Sequence, residues 1–91
     1  MTTATRQTTA IERKKRYRFH SRRGMKEVEE VLFDYLDRFY DQDDEATQLM
    51  FGRLLDCQDV DMFEWFLHRT LPEDADLADY VRQLIQRVET R

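Results

Sequence analysis

The 91-residue chain has one cysteine, one proline, two glycines and one tryptophan. Each scarcity excludes something. A single thiol, Cys57, forms no internal disulfide, so the fold is not stapled by oxidation and a reducing compartment suits it. One proline and two glycines are too few for the frequent tight turns of a β-sandwich or barrel. No apolar run is long enough to cross a bilayer, and no apolar stretch follows the early basic residues as a secretory leader requires, so neither membrane insertion nor export is expected. A chain this short makes one small domain, with little room for both a core and an enclosed substrate cleft.

Acidic residues are also missing from the first quarter of the chain. Residues 1–26 hold nine Lys/Arg and one acid, Glu12, a net of +8; residues 27–91 hold six Lys/Arg and eighteen acids, a net of −12. Such a split describes a basic arm that packs on, or projects from, an acidic body. The threonine-rich opening MTTATRQTTA reads as a flexible polar tail over residues 1–10, with the folded domain at 11–91.

What the chain does have is helical periodicity. Met25, Val28, Leu32, Tyr35, Leu36, Phe39 and Tyr40 recur at spacings of three and four, which gathers them on one stripe. The cluster DQDDE, Asp41 to Glu45, ends that helix and supplies an aspartate cap for the next. The following helix should turn Ala46, Leu49, Met50, Leu54 and Leu55 inward. Asp59 is a candidate cap for an aromatic-rich helix with Val60, Phe63, Phe66 and Leu67 inward and Trp65 at its rim. The only proline, in LPEDAD, provides a stop and a fresh start for a last helix that buries Leu77, Tyr80 or Val81, Leu84, Ile85 and Val88. Before Gly24, AIERKKRYRFHSRR forms a helix with a thin apolar stripe of Ile11, Tyr17 and Phe19. Short connections favour antiparallel neighbours, so the expectation is an all-α, single-domain bundle of five helices. Gly52, inside a helix, costs about 1 kcal/mol relative to alanine, which a close approach by a neighbouring helix would explain.

No constellation here assembles chemistry. Two distant histidines, His20 and His68, and one cysteine make no zinc pattern, and the acidic turns lack the ligand alternation and central glycine of a calcium loop. Cys57 has no neighbouring base in sequence and reads as a small, part-buried thiol. Neither phosphate-binding glycine motif is present. Catalytic residues, a metal and a stably bound cofactor are therefore not expected. The stretch RKKRYRFHSRR interleaves cations with aromatics, so Lys14, Lys15 and Arg16 could meet phosphates while Tyr17 and Phe19 stack on bases. An acidic body would repel a polyanion laid across it, and no recognition helix is evident. A nucleic-acid or regulatory binder is thus the alternative reading, and the plainer one is that the arm lies against the acidic body.

The stretch RRGMKE, Arg22 to Glu27, places one glycine where the charge reverses. It matches an RGxxE signature, and FGRLLDCQDVDMFEWFL from Phe51, LPEDADL from Leu71 and VRQLIQRV from Val81 follow in the order found in one family. From about Lys15 to Arg87 the chain resembles the SdhE family of succinate dehydrogenase flavinylation and assembly factors. Val60 stands where many relatives carry proline, Glu29 replaces a common aspartate, and the N-terminal extension is longer than in many bacterial members.

The resemblance implies a five-helix protein, not an enzyme, that binds the flavoprotein subunit of succinate dehydrogenase and, in some bacteria, that of fumarate reductase. It would assist covalent attachment of FAD to that subunit without holding FAD stably itself. A bacterial cytoplasmic location, rather than a mitochondrial matrix, and a monomer when free go with it. Carried onto this chain, the motif positions are Arg23, Gly24 and Glu27, with Arg22 and Met25 beside them, as partner-binding residues. Physical chemistry gives these residues a rationale. Gly24 can take positive φ and keeps no side chain between two backbones. Arg23 can offer a forked contact to a partner carboxylate or carbonyl. Glu27, in the first turn of the helix, could cap free N–H groups or orient Arg23, or could face the partner.

Overall fold

The computed structural model describes residues 3–90, and among them five helices carry the fold. They are α1 (Thr3–His20), α2 (Lys26–Arg38), α3 (Glu45–Leu55), α4 (Asp59–Phe66) and α5 (Ala75–Glu89), with a 3-10 turn at Tyr40–Gln42. No strand occurs among the described residues, and no described helix is long and apolar enough to cross a membrane. The all-α, five-helix expectation is met. Helix α1 begins at Thr3, so residues 3–10, expected as a tail, continue it; the tail's residues 1 and 2, and Arg91, lie outside the described residues.

Two aspartates start helices as the sequence suggests. Asp44 accepts from the Thr47 N–H at 2.9 Å to open α3, and Asp74 accepts from the Leu77 N–H at 2.8 Å to open α5. Each cap contributes about 1 kcal/mol. Helix α2 is the centre of the bundle: Val28, Leu32 and Tyr35 are wholly buried, and α2 packs on α4, α5 and α1. Burying a leucine such as Leu32 stabilises the fold by about 1.5–3 kcal/mol. Tyr35 stacks on Phe51 of α3 with ring centroids 4.7 Å apart and meets Tyr40 and Tyr80 edge-on. Its hydroxyl donates to Asp43 at 2.7 Å, and Asp43 also takes both arms of Arg87 at 3.0 Å, tying the end of α5 to the loop after α2. Burial, first of all, pushes the Tyr35 phenol far above its ordinary value, so it stays a donor.

The inward faces differ from the periodicity in three helices. In α1, Ile11 and Phe19 are 57% and 71% exposed, and only Tyr17 of the expected stripe turns in. The helix docks instead through polar groups. Buried Arg13 donates to the Tyr40 hydroxyl at 3.2 Å and to Gln48 at 3.0 Å, and Tyr17 sets its ring edge-on against Tyr40 and Phe51. In α3, Ala46 and Leu49 face solvent and Phe51 takes the inward position. In α4, Val60 and Leu67 are exposed while Met62 and Trp65 are buried, which places Trp65 in the core and not at its rim. Helix α4 has eight residues with five of them apolar, so its stripe is ambiguous and contact with α2 decides which side turns in. Helix α5 follows its pattern throughout, with Leu77, Tyr80, Val81, Leu84, Ile85 and Val88 all buried.

Gly52 has the expected close neighbour. A Cβ there would meet the Tyr17 ring at 2.8 Å from Cζ, and its hydroxyl closer still, so the glycine makes room for α1 to lie against α3.

Candidate functional site

The corner between α1 and α2 is built by its backbone first. Helix α1 unwinds through Ser21, which is fully buried and donates its hydroxyl to the Tyr17 carbonyl at 2.7 Å. Gly24 then takes φ +82°, in the left-handed region that costs other residues about 1–2 kcal/mol. Met25 is extended and precedes α2 without a side-chain cap; its carbonyl accepts the Val28 and Glu29 N–H groups.

What holds the turn comes from further along. The Glu29 carboxylate reaches back and accepts the Gly24 N–H at 2.7 Å and the Arg23 N–H at 2.8 Å on one oxygen. These two bonds, that from Gly24 first, hold the Glu29 carboxyl below the usual carboxylate range. Glu29, which the sequence marked only as a departure from a common aspartate, is therefore the residue that fixes the turn. Its signal was present as an acid within the first turns of a helix that has no Ser, Thr, Asp or Asn before it.

Arg23 is used inside the chain. Its Nε donates to Asp59 at 2.7 Å, Nη1 to the carbonyls of His20 and Leu55 at 2.9 Å each, and Nη2 to the Cys57 carbonyl at 2.9 Å. One guanidinium thus ties the last residue of α1, the end of α3 and the first residue of α4, neutralising carbonyls that helix ends leave unpaired. Four of its donors are taken within the chain and its side chain is 15% exposed, so the forked contact with a partner expected of Arg23 would have to displace these bonds. Asp59, expected to cap α4, is instead its first residue and the counterion of Arg23. Glu27, the residue whose role was left open, is exposed and makes no hydrogen bond or ion pair among the described residues.

With Arg23 and Glu29 holding the turn from within, its outer side stands open. A Cβ on Gly24 would find nothing within 4 Å. Arg22 is exposed, Met25 is half-buried, and a shallow hollow of about 620 Å³ runs from these two past Cys57 to exposed Val60. Structure thus brings Arg22, Gly24, Met25 and Glu27 to one corner and draws Arg23 under it. Cys57 is half-buried, and burial, before the nearby acids, pushes its thiol up, so it is not an activated nucleophile. Neither histidine engages it: His68 pairs with Glu89 at 2.8 Å, and His20 sits edge-on to Phe19.

Part of the basic arm is paired with the acidic body. Lys14 meets Asp41 at 3.0 Å, Arg18 meets Asp37 at 2.6 Å, and Arg13 lies 3.5 Å from Glu45. These exposed pairs are individually worth little, but together with Arg13 and Tyr17 they lay α1 along the bundle.

Comparison with known proteins gives the family. A family model described as "Flavinator of succinate dehydrogenase" matches residues 15–88. The FAD assembly factor SdhE of Pseudomonas aeruginosa is 45% identical over 75 residues, covering 82% of this chain and 89% of that protein. The proteins of the same name from Idiomarina loihiensis and Yersinia pseudotuberculosis are 36% and 31% identical, over 88% and 89% of this chain and 89% and 92% of their own lengths. With nearly the whole helical bundle and the Gly24 corner inside the matched region, this chain belongs to the Sdh5 family, the flavinators of succinate dehydrogenase.

Proposed function

We propose that this chain is an assembly factor that binds the flavoprotein subunit of succinate dehydrogenase, and that of fumarate reductase where one is present, and promotes covalent attachment of FAD to it. FAD belongs to the partner in this reading. The chain carries out no reaction of its own; it favours the conformation in which the flavoprotein flavinylates itself. It acts as a cytoplasmic monomer before it meets that subunit. The observation that carries the proposal is the Gly24 corner, where a backbone locked from beneath by Arg23 and Glu29 presents empty space above it. A preformed surface avoids part of the ordering cost of binding. Arg22, Gly24, Met25 and Glu27 meet the partner, and Arg23 positions them.

The test is pull-down of the flavoprotein subunit with in-gel flavin fluorescence, using Gly24→Asn and Glu27→Ala. Asparagine tolerates positive φ, so the first variant adds a side chain to the open space with little strain. Glu27 has no hydrogen-bond or ion-pair partner among the described residues, so its loss should change stability by less than about 0.5 kcal/mol. Both variants should keep the fold, and capture and covalent flavin should fall at least about tenfold, which corresponds to about 1.4 kcal/mol of binding. Full capture and full flavinylation by both would refute the docking corner.

A further inference from the structure

Nine of the Lys and Arg side chains described here are in ion pairs with acids of the same chain. The four that are not, Lys15, Arg16, Arg22 and Lys26, are all exposed and fall on one continuous stretch, the outer side of α1 and the corner into α2. Exposed Ile11 and Phe19 share that side, because 11, 15 and 19 recur every four residues along α1. The inner side of the same helix is the one spent on Arg13 and Tyr17.

We propose that this outer face of α1 is a second part of the docking surface, and that it receives an acidic patch of the flavoprotein into which Phe19 inserts. The inference rests on the docking reading above and adds the chemistry of the partner's side. Elsewhere on the bundle, exposed cations already have carboxylates of this chain within reach; the four left over are complementary to carboxylates that another surface must bring. Unpaired exposed charges steer encounter, while a large apolar side chain anchors what has arrived. A protein fits this face better than a polyanion does. Exposed Glu12 interrupts it and exposed Glu27 and Glu30 border it, so phosphates in a regular row would meet repulsion at each.

The experiment follows binding kinetics of the full chain to the flavoprotein subunit at about 50 and about 300 mM salt, either side of the range where screening sets in. The K15E/R16E variant should fold as the wild type by circular dichroism, associate about tenfold more slowly at low salt, and regain most of the difference at high salt, with dissociation little changed. Phe19→Ser should do the reverse and speed dissociation. If K15E/R16E and Phe19→Ser both bind with wild-type rate constants while Gly24→Asn is impaired, the α1 face is only solvated surface and the corner alone docks. If the wild type fails to bind the subunit at all, this inference falls with the docking reading. Salt-sensitive retention of a single-stranded oligonucleotide by the wild type, lost in K15E/R16E, would overturn the assignment of the face to a protein.

Discussion

Replacing Arg23 with alanine should cost the protein far more stability than its position on a surface corner suggests. The guanidinium makes four hydrogen bonds, one to a carboxylate and three to carbonyls, at the ends of α1 and α3 and in the connection from α3 to α4. Charge-assisted bonds contribute about 1.5–3 kcal/mol each, but they share one group and are not additive. Once the arginine is gone, water can reach some of the freed acceptors, since Asp59 is 34% exposed. A net loss of about 3 kcal/mol is the reasonable figure, between a single charge-assisted bond and the loss of a fully buried ion-pair partner. In a domain of this size that lowers Tm by about 12–24 °C.

Lysine at position 23 should be intermediate, because a single ammonium cannot reach acceptors on three elements at once. Asp59→Asn should be milder again, at about 1 kcal/mol, since only one of the four bonds is weakened. Thermal and urea unfolding followed by helical circular dichroism orders the three variants. A Tm drop of less than about 4 °C for Arg23→Ala would refute the reasoning, because it would mean that the clamp is worth under about 1 kcal/mol. Wild-type stability combined with loss of partner capture would return Arg23 to the interface.

Glu29 should make the turn acid-sensitive. Its folded carboxyl is held below the ordinary 4.5, so its contribution is fully present above that value and is lost as pH falls through the lower, folded value. Glu29→Gln should therefore flatten the acid limb of the stability profile below pH 4.5 relative to the wild type, and an unchanged acid limb would count against the cap. Gly52→Ala should gain about 1 kcal/mol of helix propensity yet still destabilise, because overpacking against Tyr17 costs about 1–3 kcal/mol and loosens α1. A raised Tm in that variant would show that Tyr17 can swing aside.

The legible parts of the fold were those where one physical demand dominated. Helix α5 lies along the bundle over four turns with a single buried side, so its apolar spacing and its start within LPEDAD both read directly. Helix α1 did not, because polar docking through Arg13 does the work that apolar residues usually do, leaving Ile11 and Phe19 outside. In α4 apolar residues occupy five of eight positions and leave no single stripe, so periodicity alone could not choose Trp65 over Val60. The site was legible as a place and not as a set of roles. Motif and charge reversal pointed to residues 22–27, but which glutamate would cap the turn depended on where two backbone N–H groups point once Gly24 has positive φ. Neither Glu29's reach back across the turn nor the meeting of Arg23 with Asp59, 36 residues later, is a local property.

The corner separates two demands that a glycine between charges usually merges. The fold requires its backbone angle and nothing more, since the space a Cβ would occupy is vacant on this chain. It requires the neighbouring arginine for a different reason: the ends of α1 and α3 and the start of α4 converge there, and one guanidinium bonds to all of them. A turn held only by local bonds would be free to rock; this one is tied through Arg23 to α3 and α4 and through Glu29 to α2. Rigidity from below is what allows bareness above. In the docking reading proposed above, a surface with no side chain at its apex has few groups with which to grip, so recognition there would rest on shape, which is only as selective as the backbone is fixed. On that reading the arginine and the glycine are one device, in which the charged residue works inward so that the uncharged one can work outward.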